Sequence, residues 1–567
     1  MIHAPSYPIL KRCLNFEVAL AWTVKDANDE FFPDALEFAD LGAKGAEYLE
    51  RRAHRILQAD GLHSWKLWVP KRNGMLREAM WLQPMHRVLY TACLHYFLPR
   101  LDAKLHRGVY SYRLDEPEDP SAYPFANRMN RWLDFQNDIR ATALDEWANA
   151  ILITDLASFF DHISCTQLCR RIEMMLGPSM SEDDKHVLGF LHRLLKMWCN
   201  DGFGIPQNMD ASSFFGSLYL HPVDQEMGRA RYRYFRWLDD IRIVAKSRIQ
   251  ALRALHDLQR YAQEHGLYLS SAKTRIVDKG SVEFSTMMDV EDDELLSRAA
   301  TVHKAGDCRA MKVLAPDLLN RLRHHSTGDG NDRKFRAFAN RMLDFGEFEP
   351  LAASVHRDVK GLVLDRLLAF PDRSDYWTKM LVACGFDDSV WATLTSLLVE
   401  TPTIFDWQRF YLWRLILSTN GSVPEQLVER AIHILADEPC EAVLAVAILV
   451  VGKHGTNDDR DQVFRQHMTA QRSYIVQRAT ILAMQGLPVG QRDRFFERAT
   501  EINAEHRELV EYLRLLPEPV YGGAKRRPNR VCREEPREVQ DTFSRGIGLV
   551  RGEKIRFTLS RSDIDYE

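Results

Sequence analysis

The sequence predicts an α+β region up to about residue 290, then an all-α region to about residue 516, closed by a polar, basic tail. Three observations predict it. Short strand-like runs, one carrying an Asn-Gly turn, alternate with helical patterns in the first half. Helical stripes then recur roughly every fifteen to twenty residues, separated by short polar linkers. The composition, 46% hydrophobic and 27% charged, is that of a globular chain. The boundaries read as an N-terminal helical extension (1–64), a mixed domain (65–290), a helical domain (291–516) and the tail (517–567).

Each element has a local reason. Lys44 to Leu57 is charged and helical, and Trp65 to Pro70 alternates like a strand. Lys71-Arg-Asn-Gly74 supplies the φ > 0 conformers of a tight hairpin. Met80 to Leu101 is apolar at helical spacing, and Ala150-Ile-Leu-Ile-Thr154 suits a buried strand. From Asp161 to Leu176 the period is again helical, and Ser181-Glu-Asp-Asp184 opens another helix as its N-cap. Around Asp239 and Asp240 apolar and polar residues alternate on both sides, as in a hairpin with two carboxylates at its tip. A helix from Arg253 to His265 ends at Gly266. Tyr268-Leu269 and Ser281 to Ser285 read as further strands. The later stripes, such as Leu427 to Leu435 and Ala442 to Val451, give a stacked-helix solenoid of degenerate repeats.

A net charge of −4 does not indicate a simple basic nucleic-acid binder. Nine cysteines with no CxxC pair point to a reducing compartment, with neither a zinc ribbon nor a disulfide framework. No secretory signal opens the chain, and the apolar run Ala442 to Val451 is well short of the ~20 residues that cross a bilayer. A soluble, cytoplasmic protein without a membrane partner is expected. The tail around Lys525 to Arg530 reads as a flexible basic segment able to touch phosphate.

Three acidic residues carry chemistry by position. Asp155 ends a buried strand, and Asp239 and Asp240 cap a hairpin. Carboxylates wedged against apolar strands are expensive unless partnered. Together they can hold two magnesium ions, which prefer hard oxygen ligands and can activate a hydroxyl and stabilise a leaving pyrophosphate.

Here the chain resembles a known family. Ile153-Thr-Asp-Leu-Ala-Ser-Phe-Phe-Asp-His-Ile163 resembles motif A of reverse transcriptases. Gly204-Ile-Pro-Gln-Asn-Met-Asp-Ala-Ser-Ser213 resembles motif B, Phe235-Arg-Trp-Leu-Asp-Asp-Ile241 motif C, and Gly266-Leu-Tyr-Leu-Ser-Ser-Ala-Lys-Thr-Arg275 motif D. Val69-Pro-Lys-Arg-Asn-Gly-Met-Leu-Arg77 and Gly108-Val-Tyr-Ser-Tyr-Arg113 are similar to the fingers motifs of bacterial members. The resemblance implies a right-hand polymerase core, fingers and palm, over 65–290, followed by a HEAT-like helical-repeat domain. It makes Asp155, Asp239 and Asp240 the catalytic carboxylates and metal ligands. Phe160 would be the gate against a ribose 2′-OH, and Gly204 and Gln207 would lie against nucleotide and template. Lys71 and Arg77 would hold the triphosphate, and Lys273 would be a proton donor to pyrophosphate. Two positions depart from the family: Asn208 follows Gln207 where Gly is usual, and Trp237-Leu238 precede the Asp pair where Tyr-Ala is common.

A polymerase core joined to a large helical domain resembles the abortive-infection and defence-associated reverse transcriptases of bacteria. That class implies a DNA polymerase, RNA-directed or template-independent, acting in antiphage defence with Mg2+ (or Mn2+). Its partners would be dNTPs, a DNA product, an RNA template or noncoding RNA, and further copies of the chain in a homo-oligomer. The alternatives are a retroelement enzyme copying a cognate RNA, and a nucleic-acid-binding scaffold that retains the fold.

Overall fold

The computed structural model describes residues 6–27, 30–42, 49–50, 54, 65–115, 122–327 and 331–532. The charged stretch Lys44 to Leu57 lies almost wholly outside these described residues.

Strands β1 (Trp65–Pro70) and β2 (Leu76–Trp81) form an antiparallel hairpin with Pro70 opposite Leu76. Gly74 takes φ 78° in its turn, the left-handed conformation that the Asn-Gly pair foreshadows. The buried residues Leu67, Val69, Ala79 and Trp81 belong to the same apolar core as the C-terminal helices. The hairpin is thus built into the helical region.

The second sheet comprises β3 (Ala150–Asp155), β4 (Arg233–Trp237), β5 (Asp240–Ala245) and β6 (Arg275–Asp278). Its order is β4-β5-β3-β6, and every neighbour is antiparallel. Central β3 is covered on both faces. Ala150 and Leu152 share a core with Ala254 and Leu258 of the helix Arg248–Glu264. Ile151 and Ile153 meet Phe135 and Ile139 of the helix Arg128–Leu144. Two-sided burial explains why the strand reads as a continuous apolar run and not as an alternation.

Several boundaries differ from the sequence reading. The long apolar helix starts at Pro84, not Met80: Met80 and Trp81 pair in β2, and proline fits the first helical turn. After motif A the chain forms a short 3-10 turn, Phe159–His162, before the helix Cys165–Leu176 capped by Ser164. Ser281 to Ser285 is no strand. The Ser281 side chain accepts the Phe284 N–H and starts the helix Val282–Met288, and a five-residue alternation cannot outweigh such a cap. Tyr268-Leu269 keeps only a bridge from Leu269 to Leu156. Ser181 and Asp184 make the reciprocal capping box that their spacing predicts.

In the helical region, Asp332–Gly346, Ser374–Cys384, Asp406–Leu417, Glu441–His454 and Tyr474–Ala483 form an inner row in which each helix packs on the next. Residues Ala442 to Gly452 are buried all round, so the run at 442–451 is a core helix. Among the described residues no helix is long and apolar enough to cross a membrane.

Two outer segments tie the halves together. Buried Arg478 pairs bidentately with Asp34 and Asp40 of the N-terminal segment. Residues 517–532 form a strap and not the free basic tail that the sequence suggests. Gln485 bonds Val520 in both directions, Arg527 pairs with Asp344 and Glu347, and Arg530 pairs with Glu347. Cys532 is bonded to Cys308, with Cα atoms 5.8 Å apart across 224 residues. This corrects the expectation of wholly unpaired cysteines, since spacing along the chain carries no trace of so distant a partner. The other described cysteines are free.

Candidate active site

The site begins with strand register. Asp155 is the last residue of β3 and Asp240 the first of β5, and the two are paired directly across the ladder. Asp239 occupies the two-residue turn between β4 and β5, where its carbonyl accepts the Leu156 N–H. Carboxylates 84 and 85 positions apart from Asp155 in the chain are therefore neighbours because the sheet places a strand end against a hairpin tip.

The turn is strained and held. Leu238 has φ 54°, a conformation costly for a branched side chain. Its N–H donates to Ser111 Oγ at 2.9 Å, and its carbonyl accepts from Arg236 Nη1 at 2.9 Å. Arg236 is wholly buried and forks onto Asp224, with Nε to Oδ1 at 2.8 Å and Nη2 to Oδ2 at 2.6 Å. The segment 108–111 runs beside β4, and Arg236 N–H donates to the Gly108 carbonyl. A Cβ at 108 would lie 2.4 Å from the Tyr234 carbonyl oxygen, so only glycine permits this approach. Ser111, Asp224 and Arg236 escaped the sequence reading. The available signal was an arginine at an inward position of an alternating strand, which demands a buried partner.

Electrostatics follow. Burial, then the charges of Asp155 and Asp240, push the Asp239 carboxyl up to about 7. Burial also raises Asp155, opposed by Lys273, whose Nζ donates to Asp155 Oδ2 at 2.6 Å. Arg242 forks onto Asp240. Such crowding of negative charge with hard oxygen donors fits divalent ions of the magnesium class. Asp155 and Asp240 are each paired with a cation, Lys273 and Arg242, and the three aspartates do not bring one oxygen each within 4.8 Å of one another. Among the described residues only His303, Asp344 and Glu347 bring three ligand atoms within 4.8 Å of one another, and the arginines of 341, 527 and 530 already neutralise those carboxylates.

A cavity of about 620 Å³ lies over the turn. Lys71, Arg77, Phe160, Gln207 and Asp239 line it together, although their segments are far apart in the chain. Phe159 is buried in the core while Phe160 faces the cavity. Gln207 donates to Asp161 at 2.7 Å. Arg77 stands over Phe31, and burial and the neighbouring Arg336 push its ionisation down. Asn208 takes φ 59°, which explains the departure at that position: asparagine is among the side chains best suited to the left-handed region where glycine is usual. Gly204, with φ 91°, donates its N–H to the Ile163 carbonyl and turns the chain toward Gln207. An adjoining chamber of about 360 Å³ holds Asp155, Asp239, Asp240, Arg242 and Lys273.

The helical region supplies the far wall. Arg333 lines both spaces, stacks 3.7 Å over the Trp132 ring and stands 3.8 Å from Asp240. Arg72 pairs with Asp332, and Arg140 with Asp293.

Residues 100–287 match the family model described as reverse transcriptase (RNA-dependent DNA polymerase). This span is reverse-transcriptase-like, and it contains every site residue above except the hairpin cations and those of the helical region. No curated protein matches the chain. Similar solved structures include telomerase from Candida albicans in complex with a TWJ fragment of telomeric RNA, 12% identical, covering 61% of this chain and 70% of that one with a TM-score of 0.30. Apo telomerase from Candida tropicalis is 10% identical, covering 80% and 68%, with a TM-score of 0.32. At such scores these likenesses define neither fold nor function.

Proposed function

We propose that the protein is a DNA polymerase of the reverse-transcriptase kind, transferring nucleotides from dNTPs at Asp155, Asp239 and Asp240, and that it serves in bacterial antiphage defence. The observation that carries the reading is the placement of Asp155 directly opposite Asp240, with Asp239 in the adjoining turn. Asp155 and Asp239 would hold Mg2+ (or Mn2+), with Asp240 supporting. Two such ions, when bound, activate an attacking hydroxyl and stabilise the pyrophosphate that leaves. Lys71 and Arg77 bind the triphosphate, with Arg77 the better planar partner for phosphate oxygens. Phe160 packs under the sugar and excludes a 2′-OH. Gln207 orients the nucleotide, and Lys273 protonates the leaving group. RNA, as template or as a noncoding partner, and a homo-oligomeric state belong to the same reading, as does a HEAT-like description of the helical rows.

The contribution of the helical region to the cavity beside Asp239 supports the defence class over a retroelement enzyme. Arg333, Arg336 and Tyr376 of that region line it, and its volume of about 620 Å³ is in the range of a site for one small ligand. Addition to a single strand fits that space better than processive copying.

The test is incubation of purified protein with each labelled dNTP and Mg2+, with and without added RNA, beside the Asp239→Ala/Asp240→Ala variant. Incorporation by the wild type alone is expected. Equal incorporation by both proteins rejects the assigned site.

A further inference from the structure

Arg333 is the cation of the helical region that stands nearest the aspartates. It enters from the first turn of the helix Asp332–Gly346, well outside the reverse-transcriptase-like span. Its guanidinium carbon lies 3.7 Å from the centre of the Trp132 ring, which in turn packs edge-on against Trp237 with ring centroids 5.2 Å apart. Among the described residues it makes no hydrogen bond, and its contact with Asp240 at 3.8 Å is an ion pair without one. Asp240 is already forked by Arg242. Stacking consumes the π face of a guanidinium and leaves its in-plane N–H donors free, the arrangement suited to a phosphate. The side chain keeps 43% exposure into the shared space.

Its position relative to the other cations selects which phosphate. Lys71, Arg77 and Arg333 all line the larger cavity, and of these three only Arg333 also lines the chamber that holds Asp155, Asp240 and Lys273. In phosphoryl transfer the attacking and leaving oxygens are in line on opposite sides of the phosphorus. With the triphosphate assigned to Lys71 and Arg77, Arg333 is the cation left for the strand that carries the attacking hydroxyl.

We infer that Arg333 is a strand-positioning residue: its guanidinium binds a backbone phosphate of the single strand being extended, so that the helical region completes the nucleotidyl-transfer site. This rests on the reading of the site as a nucleotidyl transferase. It also gives Trp237 a purpose, since an indole there supports Trp132, on which the arginine is stacked.

The test uses the full chain as wild type, Arg333→Ala and Arg333→Lys, with a 5′-fluorescein 12-mer DNA oligonucleotide as the strand. Binding is read first by anisotropy in EDTA over a salt series, so that no catalysis is required. Loss of one phosphate contact should weaken binding about 10- to 100-fold and reduce the slope of log K against log salt by about 0.7 in Arg333→Ala, with partial recovery in Arg333→Lys. With Mg2+ and dNTPs, the KM for the oligonucleotide should rise by a similar factor while the KM for dNTP stays within twofold. Unchanged salt slope and strand KM, a rise confined to the dNTP KM, or a wild type that does not bind the oligonucleotide each overturns the inference. If the strand contact depends on Arg333 but the wild type incorporates nothing, the polymerase reading fails and the contact stands.

Discussion

The support beneath the motif C turn makes the sharpest prediction, because it separates stability from activity. Arg236 and Asp224 are both wholly buried, and the guanidinium makes two bonds to the carboxylate, one to the Leu238 carbonyl and a longer one to the Ser217 carbonyl. Tyr234 Oη donates to the same carboxylate at 2.8 Å. Arg236→Met removes four donated bonds and leaves Asp224 with the tyrosine alone. Stranding a buried charge in this way costs about 3–5 kcal/mol. Adding Asp224→Leu removes the stranded charge, and a buried ion pair replaced by apolar side chains is often nearly neutral. The double variant should therefore recover at least about 2 kcal/mol of the loss, read from the urea transition that carries the tryptophan signal. Activity should not follow. In both variants the Leu238 carbonyl lacks its donor, and a turn held at φ 54° relaxes away from its strained conformation. A displacement near 1 Å at a catalytic carboxylate costs about 100-fold. Nucleotide incorporation should fall 10- to 100-fold in the single and double variants alike. A single variant that loses under about 1 kcal/mol, or a double variant that regains full activity, refutes the reasoning.

Two other outcomes test separate parts of the account. Phe160→Ala opens the cavity floor and should raise the ratio of ribonucleotide to deoxynucleotide incorporation about tenfold or more; an unchanged ratio removes the gate assignment. Asp184, held down to about 2 by Arg100, Ser181 and Tyr96 against the opposing effect of burial, is stabilising when ionised. A depressed folded-state value means that its contribution is present above the ordinary carboxylate range and is lost as pH falls through about 2. Asp184→Asn should cost about 1–2 kcal/mol at pH 7, with the gap to wild type closing progressively below pH ~4 in melts that monitor this region; a pH-independent gap contradicts the assignment.

What could be read from the sequence follows the range of the forces involved. The central strand was legible because burial on both faces writes a continuous apolar run from Ala150 to Ile153, and the motif C hairpin because its alternation flanks two aspartates. The Ser181 cap was legible because a capping box acts over three residues. Ser281 misled, since five alternating residues satisfy either period and only the cap hydrogen bond decides. Cys308 with Cys532, and the arginines of the strap with Asp344 and Glu347, meet across more than 170 residues. Nothing in the local pattern around either partner anticipates the other.

The same reasoning explains why the unusual residues of motif C look arbitrary in the sequence and ordinary in the fold. Trp237 departs from the common aromatic of that position, yet its ring sits against Trp132 and Phe135, and Arg333 closes the stack from the helical side. An indole supplies a larger face than a phenol for the ring of Trp132, which carries the cation at 3.7 Å, while Trp237 itself is 6.0 Å from it. Arg72 with Asp332 and Arg140 with Asp293 fasten that region at two further points around the same cavity. The helical half is therefore part of the site's wall, and its side chains must be counted with the aspartates whenever the chemistry of that cavity is considered.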